Sequence, residues 1–204
     1  MSILDAKRSF VIDSAINLFL KRPISSVTIK DIAKESGVGE ATVYRYFSAK
    51  RDLVLECALR LQSTTEQIFN NRNKNDQLGF TGLQNFYYSF LDIFEKEPSL
   101  YYFLNEFDSY CISEKLEGLT EYADNLDKFK AAYLVAYQSG VKEGSVRAVI
   151  DIELFYYSTT HAIMSLCKKL ALSEGVLEQD KKINKYEEIK TLIDTVLYSL
   201  KTAV

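Results

Sequence analysis

Tryptophan is missing from this sequence, and only two prolines, eight glycines, three cysteines and one histidine occur in its 204 residues. So few helix breakers predict an all-α chain. The single histidine, His161, cannot build a histidine-based metal cluster. Cys57, Cys111 and Cys167 are odd in number and widely spaced, which is no disulfide framework, and each sits in an apolar helical pattern as a buried thiol would. A redox sensor is the alternative reading of these thiols; it would need an environment that lowers a thiol pKa, and none is visible from the sequence. No uncharged apolar run reaches the roughly 18 residues of a membrane helix. The N-terminus lacks a basic region followed by an apolar core and cleavage site, so neither a membrane partner nor secretion is expected, and the chain is placed in the cytoplasm. Neither a phosphate-cradling glycine loop nor a nucleophile elbow is present. The expectation is therefore no catalytic residue, no cofactor and no metal. An enzyme resting on carboxylates or tyrosines of a helical body is the rival class.

What the chain does have is apolar mass and unevenly spread charge. Hydrophobic residues make up 47%, ample for the core of one or two domains. The net charge is −3, yet up to Arg51 nine cations stand against five anions, a balance of +4 that leaves −7 for the remainder. A basic head on an acidic body confines attraction for a polyanion to one face.

Within that head, Val27 to Leu53 carries two helical patterns around a glycine turn. Thr28 can cap a helix whose first turn holds Asp31, and Ile29, Ile32 and Ala33 share one face. Gly37 ends that pattern and Val38 plugs the corner. Gly39 opens a second helix in which Val43 and Phe47 turn inward. Glu40, Ala41, Thr42, Tyr44, Arg45 and Tyr46 then cover the outer circumference, where donors, an acceptor and a small residue suit base edges and phosphate oxygens. Ser48 can cap the next helix, whose first turn holds Lys50 and Arg51. Cations there oppose the helix dipole, so a phosphate lying against that helix start is the expected compensation. The pattern predicts a helix-turn-helix that binds DNA. Lys7 and Arg8 are further candidate phosphate contacts.

Thr28 with Asp31-Ile32-Ala33, Gly37-Val38, Thr42-Val43-Tyr44, Tyr46-Phe47, Lys50 and Leu53 resemble the N-terminal DNA-binding domain of TetR-family transcriptional regulators, over about the first 55 residues. The resemblance implies that Thr28, Thr42, Tyr44, Tyr46 and Lys50 are phosphate-contacting or groove-facing. It also implies a sequence-specific regulator, with repression as the prior, released from a palindromic double-stranded DNA operator by an unknown small-molecule effector. A dimeric DNA-binding protein without effector is the alternative. Gly39 stands where the family more usually has a serine-like cap, and Glu40-Ala41 where it often has a basic residue followed by glycine. Both departures bear on which DNA sequence is read.

The expected layout is a three-helix DNA-binding domain over 1–50, followed by a helical effector-binding and dimerisation domain over 51–204. Phe10, Ala15, Ile16, Leu18, Phe19 and Leu20 predict the first helix, which Lys21, Arg22 and Pro23 end. Leu53 to Ile68 continues the head into the body. The polar run Asn70 to Gln77 reads as a loop. Helices follow over Thr81–Lys96, from Pro98 through Phe107, and from Tyr122 to a close at Gly144, with Ser109 to Gly118 as an irregular connection. The phrase from Gly140 to Arg147, followed by Asp151, resembles the way the family ends one body helix and caps the next. Two helices complete the chain, Ile152–Ala171 and about Tyr186–Leu200.

The last helix carries a stripe of Tyr186, Ile189, Ile193, Val196, Leu197 and Leu200. The one before it carries Leu154, Tyr157, Ser158, His161, Ala162, Ser165 and Leu166. These stripes can be buried within their own body or against a second copy; the second is preferred, because pairing through 152–171 and 186–200 would make a four-helix bundle and a homodimer with the two heads that a palindrome needs. Fourteen tyrosines and twelve phenylalanines supply a candidate effector pocket for a flat or greasy molecule, formed by Tyr87, Phe90, Phe94, Phe103, Phe107, Phe129, Tyr133, Tyr137 and His161.

Overall fold

Apolar residues recurring every three or four places, with few breakers between them, fold into helices throughout. The computed structural model describes residues 3–72, 77–172 and 182–202. Among the described residues it holds nine α-helices: α1 (Ile3–Phe19), α2 (Ile29–Glu35), α3 (Glu40–Tyr46), α4 (Lys50–Arg72), α5 (Gly79–Lys96), α6 (Pro98–Ser113), α7 (Thr120–Glu143), α8 (Ile152–Leu172) and α9 (Lys185–Leu200). They form two compact units, one of Met1–Ser63 with Tyr102–Tyr122, the other of Thr64–Tyr101 with Ala123–Val204. This division differs from the expected one after residue 50. The first half of α4 belongs with the head, and so do residues 102–122, which return to it far along the chain.

In the first unit α1 packs on α2 and α2 on α3. The buried face of α1 is Val11, Ile12, Ala15, Ile16 and Phe19. Phe10, expected inward, is 55% exposed, because the face set by residues 12, 16 and 19 leaves position 10 outside. The start of α2 is a full capping box: Asp31 N donates to Thr28 Oγ1 at 3.1 Å and Thr28 N donates to the Asp31 carboxylate at 2.9 Å. Those hydrogen bonds hold the Asp31 carboxyl below its ordinary pKa. Thr28→Ala should therefore destabilise the protein by about 1 kcal/mol, read as a lower denaturant midpoint with an unchanged slope. Gly37 takes φ 63°, the left-handed conformation that the turn between α2 and α3 requires. Ile24, Val27, Ile32, Val43, Phe47, Leu53, Val54 and Cys57 complete the core.

Arg8 is held away from the phosphate role considered for it. Its guanidinium pairs with Glu56 at 2.5 Å and lies over the Phe47 ring, 5.0 Å from the centroid. Together with Arg60, bonded to Asp13 at 2.6 Å and to Ser9, it fastens α1 to α4.

Two helices outrun their expected ends. α4 continues through Asn70 and Asn71 to Arg72, where a loop was expected, because Arg72 is anchored to Asp92 at 2.5 Å and over the Tyr88 ring. Residues 73–76 of that expected loop lie outside the described ones. α6 runs on to Ser113. The Ser109 and Ser113 hydroxyls donate to the carbonyls of Asn105 and Tyr110 in the preceding turn, so these turn-prone residues are accommodated in the helix.

In the second unit α9 packs on α5 and α8. Ile189, Ile193, Val196, Leu197 and Leu200 are buried there, so the stripe expected to face a second copy is spent within its own unit. On α8 the inward side is Tyr156, Thr160, Ile163, Cys167 and Leu170. Its other side, Leu154, Tyr157, Ser158, His161, Ala162 and Ser165, faces solvent. Gly144 at φ 83° closes α7 as expected, and the Asp151 carboxylate caps α8 by accepting from Leu154 N at 2.9 Å. Between them Arg147 donates to Leu200 O and Ser199 O, tying the link to the end of α9.

Several phenols are buried in this unit. Burial pushes Tyr87 and Tyr156 up to about 12 and raises Tyr101 and Tyr133 as well. A raised folded-state pKa stabilises the neutral form. The contribution is complete below the ordinary value of 10.0 and is lost as pH climbs through about 12. The melting temperature should fall above that ordinary value, with tyrosinate absorbance rising alongside unfolding and not ahead of it.

Candidate functional site

α3 is only seven residues long, and Val43 and Phe47 decide its orientation by being fully buried. The remaining circumference is therefore presented outward. Glu40, Ala41, Tyr44 and Arg45 are exposed, and Thr42 and Tyr46 are half-buried. The Arg45 guanidinium lies over the Tyr46 ring at 5.3 Å and within 3.5 Å of its hydroxyl, so the one cation of this face is steadied by its neighbour. Thr28 is exposed at the start of α2, its hydroxyl engaged in the cap.

α4 begins at Lys50, one residue later than a Ser48 cap implies. The acceptor at this start is the Asp52 carboxylate, which receives Ala49 N at 3.0 Å and the Ser48 hydroxyl. Lys50 is half-buried and turned partly toward the protein. Its ammonium donates to Ile24 O at 2.5 Å and stands 5.6 Å from the centre of the Tyr110 ring. Desolvation lowers its pKa, while Glu114 and Asp31 pull the other way.

The second unit contains a cavity of about 120 Å³. α4 supplies Glu66, Phe69 and Asn70. Gln77 and Leu78 precede α5, which adds Gly82 and Phe86. α7 supplies Lys128, Phe129, Ala132, Tyr133 and Ala136. Phe69 meets Phe86, Phe90 and Phe129 edge-on, with ring centres 5.5, 5.4 and 5.0 Å away, which is the favoured aromatic arrangement. The wall is thus aromatic, and the polar groups are Glu66, Asn70, Gln77 and Lys128.

Of the aromatic residues proposed for a pocket, Phe129 and Tyr133 line this cavity. Tyr87 lies buried behind Tyr133, their hydroxyls 3.1 Å apart, and its hydroxyl also reaches Thr159 at 2.7 Å. Phe90 backs Phe69. Phe94 packs on Tyr101, and the Tyr137 hydroxyl accepts from Val149 N. Phe103 and Phe107 stack on each other in the first unit, 5.9 Å apart. His161 is exposed beside Tyr157. Those seven residues are not part of the cavity lining. Phe69 and Phe86, which form its wall, are not among the residues expected to do so: Phe86 lies in the helix predicted over Thr81–Lys96, and Phe69 directly follows the stretch from Leu53 to Ile68, so no spacing signal singles out either one.

Cys57 and Cys167 are buried and Cys111 is half-buried. Burial raises all three thiols, Cys167 to about 12, which opposes the thiolate that redox chemistry needs. Among the described residues no group of three or more His, Cys, Asp or Glu could hold a metal ion, and no helix is long and apolar enough to cross a membrane.

A capped α2, a glycine turn and an outward-facing α3 on a helical body define a helix-turn-helix DNA-binding protein. Residues 11–57 match the family model described as bacterial regulatory proteins, tetR family. The chain is 24% identical over 156 residues to the HTH-type transcriptional repressor KstR2 of Rhodococcus jostii (strain RHA1), covering 74% of this chain and 72% of that protein. Its fold matches a transcriptional regulator of Saccharomonospora viridis in complex with choline, with a TM-score of 0.71 at 19% identity over 98% of this chain and 100% of that one. FadR of Bacillus subtilis in complex with stearoyl-CoA also matches, at a TM-score of 0.63 and 15% identity over 94% and 98%. Residues 11–57 of this chain thus carry the DNA-binding domain of the tetR family of bacterial regulatory proteins.

Proposed function

We propose that this regulator is a cytoplasmic repressor that binds a palindromic operator as a homodimer and is released from it by a small molecule. The observation that carries the DNA-binding part is the phase of α3: with Val43 and Phe47 at 0% and 3% exposure, its polar circumference has nowhere to face but solvent. Glu40, Ala41, Thr42, Tyr44, Arg45 and Tyr46 would read the major groove. Thr28 and Lys50 would contact phosphate. Two copies would place their α3 helices about one DNA turn apart, roughly 34–36 Å.

The exposed side of α8 supports the dimer. Leu154 and Leu172 are 63% and 42% exposed there, and Ser158, Ala162 and Ser165 let a second helix approach closely. The α9 contribution is limited to what its buried stripe leaves outside, Thr191, Thr195 and Tyr198.

The cavity supports the effector. A cavity of about 150 Å³ lined by apolar side chains holds benzene, so about 120 Å³ suits one small apolar group of a ligand whose polar part meets Glu66, Asn70, Gln77 or Lys128. Two proteins of this fold hold stearoyl-CoA and choline, which supports a small-molecule effector without identifying it. The ligand can weaken DNA binding by no more than its preference for the non-binding conformation.

Selecting bound sites from random duplexes tests the reading. A two-fold symmetric winner is expected, and a single asymmetric half-site would count against it. Arg45→Ala should weaken operator binding about tenfold or more, by about 1–3 kcal/mol if the contact is to a base. A metabolite panel should contain compounds that raise the melting temperature, since binding only the folded state must stabilise it. A panel with no such compound would favour the regulator without effector.

A further inference from the structure

We propose that Tyr110 of α6 is a positioning residue for DNA binding: its ring holds the Lys50 ammonium beside Ile24 O, where the remaining donors of that ammonium meet a phosphate laid against the start of α4. The proposal rests on the reading of Lys50 as a phosphate contact and extends it to what sets the contact's geometry.

A lysine reaches phosphate as a point charge on a flexible four-carbon stem, so its contribution depends on what fixes the stem. Here three elements do so. One ammonium hydrogen goes to Ile24 O in the turn between α1 and α2, at 2.5 Å. The Tyr110 ring stands 5.6 Å away on α6, inside cation–π range. Lys50 itself sits in the first turn of α4. All of these residues belong to the first unit.

The charge is worth fixing only if it stays a charge. Tyr110 is 7% exposed, and the desolvation it helps to impose on Lys50 disfavours the ammonium. Glu114, just past the end of α6, and Asp31 on α2 offset this. An ammonium has three donors, and Ile24 O takes one of them, which leaves donors for a phosphate oxygen. The backbone that carries the ring is held in turn: Ser113 Oγ and Glu114 N both donate to the Tyr110 main-chain carbonyl at the end of α6.

α6 is thereby tied to the grip on DNA. Its first residues, through Tyr101, belong to the second unit and Tyr110 to the first, so the helix that carries the ring is continuous with the unit that contains the cavity. A displacement of α6 would withdraw the ring and release the lysine stem without altering any residue that touches DNA.

The test is the salt dependence of binding, because a residue that matters only for folding shifts affinity equally at every salt concentration. The full-length protein is titrated onto a random-sequence duplex at several concentrations between roughly 50 and 200 mM salt. Lys50→Met should flatten the slope of log K against log salt by about 0.9. Tyr110→Leu should flatten it by the same amount, and the double variant no further. Tyr110→Phe, which keeps the ring face, should keep the wild-type slope. Tyr110→Met, flexible and ringless, replaces the leucine variant if that one does not fold. A wild-type slope in the ringless variants, or a Phe variant that behaves like them, overturns the role of the ring. An unchanged slope in Lys50→Met overturns the premise that Lys50 grips phosphate, which is a separate failure.

Discussion

An arginine at position 162 is expected to leave a folded monomer whose operator affinity has fallen by roughly 10²–10⁴. Ala162 lies in the middle of the exposed side of α8, one turn from Ser158 and among Leu154, Tyr157 and Ser165. In the proposed pairing of two copies through that face about a two-fold axis, residues near the axis would meet their own counterparts, so Ala162→Arg would introduce bulk and like charge together, twice per interface. Each head would still bind a half-site alone. What disappears is the high effective concentration of the second head once the first is bound, and that is the origin of the predicted loss. Sedimentation should show the monomer, and a titration on the selected operator should show the weakened, non-cooperative binding. A variant that remains a dimer with ordinary operator affinity would remove α8 as the pairing surface.

Phe86→Ala should lower the unfolding free energy by about 3–5 kcal/mol. The Phe86 ring has centres of Phe69, Tyr87, Phe90, Tyr133 and Tyr156 within 5.0 to 6.0 Å and is 9% exposed. Its removal forfeits both the transfer of a large apolar side chain and the packing of five rings around it. The void would open into the existing cavity, because Phe86 is part of that cavity's wall. The same variant should therefore gain stability from apolar ligands too large for the parent. Chemical denaturation gives the first number and melting-temperature shifts with a series of substituted benzenes give the second. A loss below about 1 kcal/mol would mean that the cluster collapses to fill the gap.

The helix-turn-helix was legible because its determinants are local. Thr28 and Asp31 cap within one turn, Gly37 must take a positive φ, and Val43 with Phe47 sets the phase of α3. None of this depends on distant parts of the chain. The cavity was much less legible. Phe69, Phe86, Phe129 and Tyr133 come from three helices, and no spacing rule tells which of twelve phenylalanines and fourteen tyrosines will converge. Phe103 and Phe107 have the same pattern as Phe86 and Phe90, yet they fall in the other unit because α6 crosses between units at residue 102. The stripe on α9 marks the opposite limit. Periodicity identifies an apolar face, but whether its cover comes from α5 and α8 or from a second molecule is decided by tertiary packing alone.

The glycines at one end of α5 bear on how the cavity can respond to a guest. A Cβ at Gly82 would collide with Gln77 O and come within 3.0 Å of Ala136 Cβ, and one at Gly140 would collide with Val146 and come within 3.0 Å of Gly79 Cα. These segments are therefore packed so closely that neither Gly82 nor Gly140 has room for an added methyl group. On the side of α4 the cavity is lined by the side chains of Glu66, Phe69 and Asn70, which can change rotamer where backbone cannot. α4 is also the helix whose first residue is Lys50, so the wall that a guest would touch and the lysine proposed to meet phosphate lie on one continuous stretch of chain.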